Sequence, residues 1–70
     1  MAVSYDKLWK LLIDKKMTKT ALRLKADISS STMAKMSKNE TVSMEIMIRI
    51  CQVLDCNVGD IMDVAREEIN

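Results

Sequence analysis

The 70-residue sequence predicts an all-α fold of five helices. Three observations carry that expectation. Apolar residues recur at i, i+3 and i+4 spacing through most of the chain, and no segment alternates with the period of two that a half-buried strand shows. There is no proline and only one glycine, Gly59, so the helices must be punctuated by other residues. Ser4, Thr18, Ser29 and Ser43 each precede a helical pattern, where a side-chain oxygen accepts from the free N–H groups of a first turn, and Asp27, Asn39 and Asn57 stand where helices should stop. Finally, residues 18–38 read as two short helices joined by a tight turn, locked together by Leu22, Ala26, Ile28, Met33 and Met36.

Helix 1 is expected from about Tyr5 to Lys16. Its buried stripe is Tyr5, Leu8, Trp9 and Leu12, with Ile13 at the edge and Trp9 as a core anchor. Asp6 at its start and Lys15 and Lys16 at its end suit the helix macrodipole. Helix 2 should cover about Lys19 to Lys25, and helix 3 about Ser30 to Ser37, followed by a polar loop from Lys38 to Val42. Helix 4 starts after Ser43 and runs to about Leu54 on the stripe Ile46, Met47, Ile50, Cys51 and Leu54. A short helix 5, about Val58 to Val64, carries Ile61 and Met62, and residues 65–70 form an acidic tail expected to fray. Met33, Met36 and Met47 fall on core positions, where a flexible thioether fills irregular gaps.

Residues 1–70 make one domain, with a core at residues 4–64. A domain this small buries only about 60% of the surface of its unfolded chain, so self-association is expected to help it. No apolar run approaches the roughly 20 residues that span a bilayer, and the N-terminus lacks the basic-then-apolar layout of a signal peptide. The expected location is the cytoplasm, with no membrane partner. Cys51 and Cys56, five apart and with no histidine in the chain, do not make a zinc site, and they read as free thiols in a reducing compartment. No metal and no cofactor is expected.

The net charge of +1 hides a segregation. Residues 1–38 hold nine Lys/Arg against three acids, a net +6; residues 39–70 hold two against seven, a net −5. A basic half attracts phosphate and an acidic half is repelled by it, so the molecule should meet a polyanion in a preferred orientation. The basic half contains the paired helices of residues 18–38, and the second of these is short, begins after Ser29 and offers small hydroxyls and lysine on its outer face. A helix of that kind fits a DNA major groove, which makes helices 2 and 3 a helix-turn-helix candidate. An enzyme is excluded on the same residues: the chain has no histidine and no glycine-rich phosphate loop, and its acids fall at helix ends and exposed faces.

With Lys19 as the first motif position, Leu22, Ala26, Ile28, Met33 and Met36 fall on positions 4, 8, 10, 15 and 18. These are the apolar positions of the phage-repressor helix-turn-helix. The chain resembles the Cro/C1-type (xenobiotic-response-element-type) regulators, and in Lys-Leu-Trp-Lys-Leu-Leu-Ile-Asp (7–14) and Ile-Cys-Gln-Val-Leu-Asp-Cys-Asn-Val-Gly-Asp-Ile-Met (50–62) it is similar to their minimal single-domain members. Some of those accompany mobile resistance operons, including operons for glycopeptide resistance. The resemblance implies a five-helix phage-repressor-like DNA-binding domain and a homodimer on double-stranded DNA. It implies base contacts from Ser30, Ser31 and Lys35, and phosphate contacts from Lys19, Thr20, Ser29, Thr32, Lys38, Asn39 and Ser43. Lysine donates to guanine O6 and N7, while serine both donates and accepts and so specifies less; DNA shape must then share the readout. The expected dimer surface is Leu54, Val58, Ile61, Met62 and Val64, in the acidic half.

Two positions depart from the pattern. Position 5, usually alanine or glycine because helix 3 crosses there, is Arg23, whose stem is expected to bend its guanidinium away. Position 9, usually glycine at positive φ, is Asp27, which accepts that conformation at a cost of roughly 1 kcal/mol. The competing function is a protein-interaction module, of antitoxin or antirepressor type, that keeps the fold without binding an operator. RNA polymerase is a further candidate partner, through the acidic half. Any signal is expected to act through expression, oligomerisation or a partner.

Overall fold

A computed structural model describes residues 2–65. The element order is β1 (Ala2–Ser4), α1 (Asp6–Asp14), α2 (Lys19–Lys25), α3 (Ser30–Ser37), α4 (Met44–Leu54), a single 3-10 turn (Val58–Asp60) and β2 (Asp63–Ala65). The four helices stand within two residues of their expected limits. The fifth helix does not form. The 3-10 turn takes its first residues, and its last two join a two-stranded antiparallel sheet in which Val3 faces Val64. The frayed tail expected at 65–70 lies, beyond residue 65, outside the described residues.

The caps explain why the helices begin and end where they do. Thr18 Oγ1 accepts from Ala21 N–H at 3.0 Å, Ser29 Oγ from Thr32 N–H at 3.2 Å, and Ser43 Oγ from Ile46 N–H at 3.3 Å. Each satisfies a donor that the first turn leaves free. Asp27, Asn39, Asp55 and Lys16 carry φ between 52° and 58°, in the left-handed region that ends a helix. Asp27 and Asn39 stop α2 and α3 as expected. For α4 the stop is Asp55 rather than Asn57, which has extended backbone and opens the 3-10 turn with its N–H donating to Asp60 Oδ2 at 2.9 Å.

The core is one cluster drawn from every helix: Tyr5, Leu8, Leu12, Leu22, Ala26, Ile28, Met33, Met36, Met47, Ile50, Leu54 and Ile61. All five apolar positions of the paired helices are inside it. Trp9, expected as a core anchor, is only half-buried at the rim, and Ile13, expected at the edge of the α1 stripe, is exposed. Leu54 and Ile61, expected on a dimer surface, are 2% and 0% exposed and belong to the protomer's own core. The reason is that the 3-10 turn packs back on α4 and carries Ile61 into the common core. Lys7 Nζ donates to Gly59 O at 3.1 Å and pairs with Asp63 at 3.1 Å, so the segment around Ile61 is also tied to α1. Both cysteines are free and half-buried. Burial, the Cys51 thiol beside it and the Asp60 carboxylate, against a smaller opposing pull from Lys15, push the Cys56 thiol from its ordinary 9.0 up to about 11.

Candidate nucleic-acid interface

The turn between α2 and α3 sets how α3 is presented. Its two departures from the usual pattern are accommodated together. Asp27 takes φ 55°, and the Ile28 N–H donates to Arg23 O at 2.9 Å. Arg23, half-buried, bends away from the crossing, and its Nη1 donates to the Ile28 carbonyl at 3.4 Å. A second arginine, Arg49 of α4, donates to the Asp27 carbonyl at 3.1 Å while pairing with Glu45 at 3.0 Å. Two guanidinium groups therefore hold successive carbonyls of a turn that glycine would otherwise shape.

With the turn held, α3 buries Met33 and Met36 and leaves Ser30, Ser31, Lys35 and Ser37 exposed. No Asp or Glu lies between Asp27 and Glu40, so nothing acidic on this stretch opposes a phosphate. Ser29 is occupied as a cap: besides accepting from Thr32 N–H, its hydroxyl donates to Thr32 Oγ1 at 2.9 Å and lies 3.1 Å from Ser31 Oγ. Among the described residues the Ser30 hydroxyl and the Lys35 ammonium have no side-chain partner, so both keep their full hydrogen-bonding capacity. Lys38 is exposed at the end of the helix.

Lys19 and Thr20 are exposed on the first turn of α2. The Lys19 ammonium sits 4.1 Å from the Trp9 ring centroid and donates to Ser37 Oγ at 3.4 Å. Both partners are neutral. They fix the cation where α1, α2 and α3 converge without cancelling its charge, and this gives the rim position of Trp9 a purpose that the sequence pattern had assigned to the core.

Lys35, Thr32 and Ser43 line one open groove between α3 and the start of α4, together with Thr41, Val42 and Ile46. Sequence reasoning missed Thr41. It stood in a polar loop with no periodic signal, and its place beside Lys35 depends on how that loop is folded. Asn39 differs from the expectation of a free phosphate contact: Oδ1 accepts from the Tyr5 N–H at 3.3 Å, which leaves its NH2 as the outward donor. Of the residues expected at a dimer surface, Val58 and Met62 are half-buried against the core and Val64 is 51% exposed. Val58 shares a groove with Ile48 and Cys51 on α4, where Met44 and Ile48 are exposed apolar side chains.

No helix among the described residues is long and apolar enough to cross a membrane. No curated protein matches the chain. The solved structure of transcriptional regulator VanUg is similar: it is 50% identical with a TM-score of 0.91, over 94% of this chain and 88% of that one. The family model of the Cro/C1-type HTH DNA-binding domain matches residues 7–67, most of the sequence. On these grounds, and with the helix-turn-helix built as described, the chain belongs to the Cro/C1-type helix-turn-helix family of DNA-binding transcription regulators.

Proposed function

We propose that this protein is a sequence-specific, double-stranded DNA-binding transcriptional regulator that lays α3 in the major groove and acts as a homodimer. The observation that carries this reading is the outer face of α3: Ser30, Ser31 and Lys35 are exposed on a helix whose inner face is locked into the core, with no acid along it. Lys35 is the main base-reading residue, through guanine O6 and N7, with Ser30 and Ser31 as weaker discriminators. Lys19, Thr20, Lys38 and Ser43 contact phosphates, Thr41 joins them from the groove beside Lys35, and the Asn39 NH2 adds a donor. Ser29 and Thr32 contribute mainly by shaping the first turn of α3.

A dimer presents two such helices to half-sites one helical turn, roughly 34 Å, apart. Its surface is the apolar margin that the protomer leaves open, Val58, Met62 and Val64 with Ile48 of α4, since Leu54 and Ile61 are already buried. The likeness to VanUg at 50% identity supports a place among the minimal regulators that accompany resistance operons, glycopeptide resistance included.

Selection from a randomised duplex pool, followed by a salt titration of the winner, tests the reading. The expected result is an inverted repeat and an affinity that falls steeply with salt. Lys35→Ala should cost about 1–3 kcal/mol on that sequence and little on others, and Lys19→Ala should weaken all sequences alike and lower the salt slope by about one. Failure to enrich any sequence, with only weak salt-sensitive binding, would instead make the chain a protein-interaction module.

A further inference from the structure

Tyr5 is 1% exposed, yet it is the most polar side chain in the core, and its two long-range hydrogen bonds lead to the same place. Its hydroxyl donates to the Glu40 carbonyl at 2.8 Å, and its backbone N–H donates to Asn39 Oδ1 at 3.3 Å. These bonds span 35 and 34 positions of sequence and tie the start of α1 to the loop that follows α3. From the other side the same loop is tied to α3 itself, by Asn39 N–H to Met36 O at 3.0 Å and Glu40 N–H to Lys35 O at 2.9 Å. Asn39 holds φ 58° between the two ties.

The next residues, Thr41, Val42 and Ser43, form the far wall of the groove that Lys35 lines. Phosphate contacts carry no sequence information, but they set the register in which a recognition helix meets the bases. A loop free to shift would let phosphates be gripped in several registers, and only one of them aligns Lys35 with its base. Non-specific binding tolerates all of them.

We propose that Tyr5 is a positioning residue for sequence-specific recognition: through Asn39 and Glu40 it fixes the loop between α3 and α4 in the one conformation that aligns the phosphate contacts of Thr41 and Ser43 with Lys35. The assignment rests on the proposed function. It also gives Asn39 a role beyond phosphate contact, as the joint between α1 and α3. Tyr5, sealed from solvent, cannot itself touch DNA, so any effect of its hydroxyl on binding passes through the loop.

Two variants test this. Tyr5→Phe keeps the ring and removes only the hydroxyl, with its bond to the Glu40 carbonyl and its interaction with the Val42 backbone in the same loop. Asn39→Gly removes the acceptor for Tyr5 N–H but keeps a residue at ease at positive φ, so the end of α3 stays capped. Each is titrated with the duplex recovered by selection and with a randomised duplex of equal length, at a temperature where circular dichroism shows every variant fully folded. Loss of one aligned contact predicts about tenfold weaker binding of Tyr5→Phe to the selected duplex, with its affinity for the randomised duplex changed less than about twofold. Asn39→Gly also removes the NH2 proposed to meet a phosphate, so it should weaken binding to both duplexes, and to the selected one by the larger factor. Should Tyr5→Phe bind the selected duplex within about twofold of the wild type, with only its melting temperature lowered, the phenol is purely structural and the positioning role is overturned. If the wild type itself does not discriminate between the two duplexes, the proposed function fails and the positioning role falls with it.

Discussion

Two stretches on either side of α4 are held by different means. From Thr18 to Asn39 most bonds that shape the backbone are local: Thr18 caps through Ala21, Ser29 through Thr32, Asp27 and Asn39 close their helices at positive φ, and Arg23 reaches only to Ile28. From Asp55 to Ala65 the decisive partners are distant. Ile61 is buried in the common core, Lys7 grips Gly59 and Asp63, and β2 exists because β1 lies beside it. The first stretch takes most of its form from its own hydrogen bonds and an apolar seam, with Arg49 on Asp27 and Tyr5 on Asn39 as its distant ties. The second takes its form from the other end of the chain. The surface proposed to read DNA is thus built mainly on locally determined structure, and the protomer is closed by structure that is not.

Replacing Ile61 with alanine should have the largest effect, because it deletes a fully buried side chain that the rigid core cannot wholly replace. A loss of about 2–5 kcal/mol is expected, enough to lower the melting temperature of so small a domain by well over about 10 °C. Urea unfolding at two protein concentrations checks the assignment. A drop in midpoint from wild type to Ile61→Ala that is the same at both concentrations places Ile61 in the protomer core, and a variant whose midpoint has lost the wild type's dependence on concentration would return it to an intermolecular surface.

The local stretch is probed next by Ser29→Ala. It removes the cap of α3 and the hydroxyl bonded to Thr32, and should cost about 0.5–2 kcal/mol in chemical denaturation. No measurable loss would mean that α3 is held by its seam alone. Asp27→Gly should act in the opposite direction and raise stability by about 1 kcal/mol, since glycine adopts φ 55° without the clash of a Cβ and the Arg49 bond goes to the backbone carbonyl, which remains. A lowered melting temperature would show that the aspartate side chain does something the turn needs.

The smallest expected effect is a pH dependence that belongs to the distant stretch. The folded Cys56 thiol has its pKa raised to about 11 from 9.0, so folding favours the protonated form. Its contribution is whole below pH 9 and is lost as pH rises toward 11, because the unfolded chain releases the proton first. Tyr5, raised above 10.0 by burial against a smaller opposing pull from the Val42 backbone, adds a loss of the same sign as pH rises above 10. Melting temperatures across that range should fall less in Cys56→Ala than in the wild type. Equal slopes would show that the thiol is not shielded in the folded state.

The exposed face of α3 was readable because its rules are short-ranged. The positions of Leu22, Ala26, Ile28, Met33 and Met36 oriented α3, and orientation alone exposes Ser30, Ser31 and Lys35. Thr41 and the Tyr5 tie were not readable, because the loop after α3 owes its shape to a residue 34 and 35 positions away. The error at the C-terminus has the same origin. Val58 to Val64 carry apolar residues at spacings that a short helix also shows, and three-residue strands are too short to display alternation. Helix limits, the caps Thr18, Ser29 and Ser43, the turn residues Asp27 and Asn39 and the family were written in hydrogen bonds and apolar spacings a few residues long, and so could be taken from the chain as a string; Ser4, expected as a cap, instead ends β1, and α1 begins after Tyr5 with no side-chain cap. Which apolar residues seal the protomer, where β1 and β2 meet, and how the loop beside Lys35 is held depended on contacts between remote segments. Such contacts are favourable only once the core has brought those segments together.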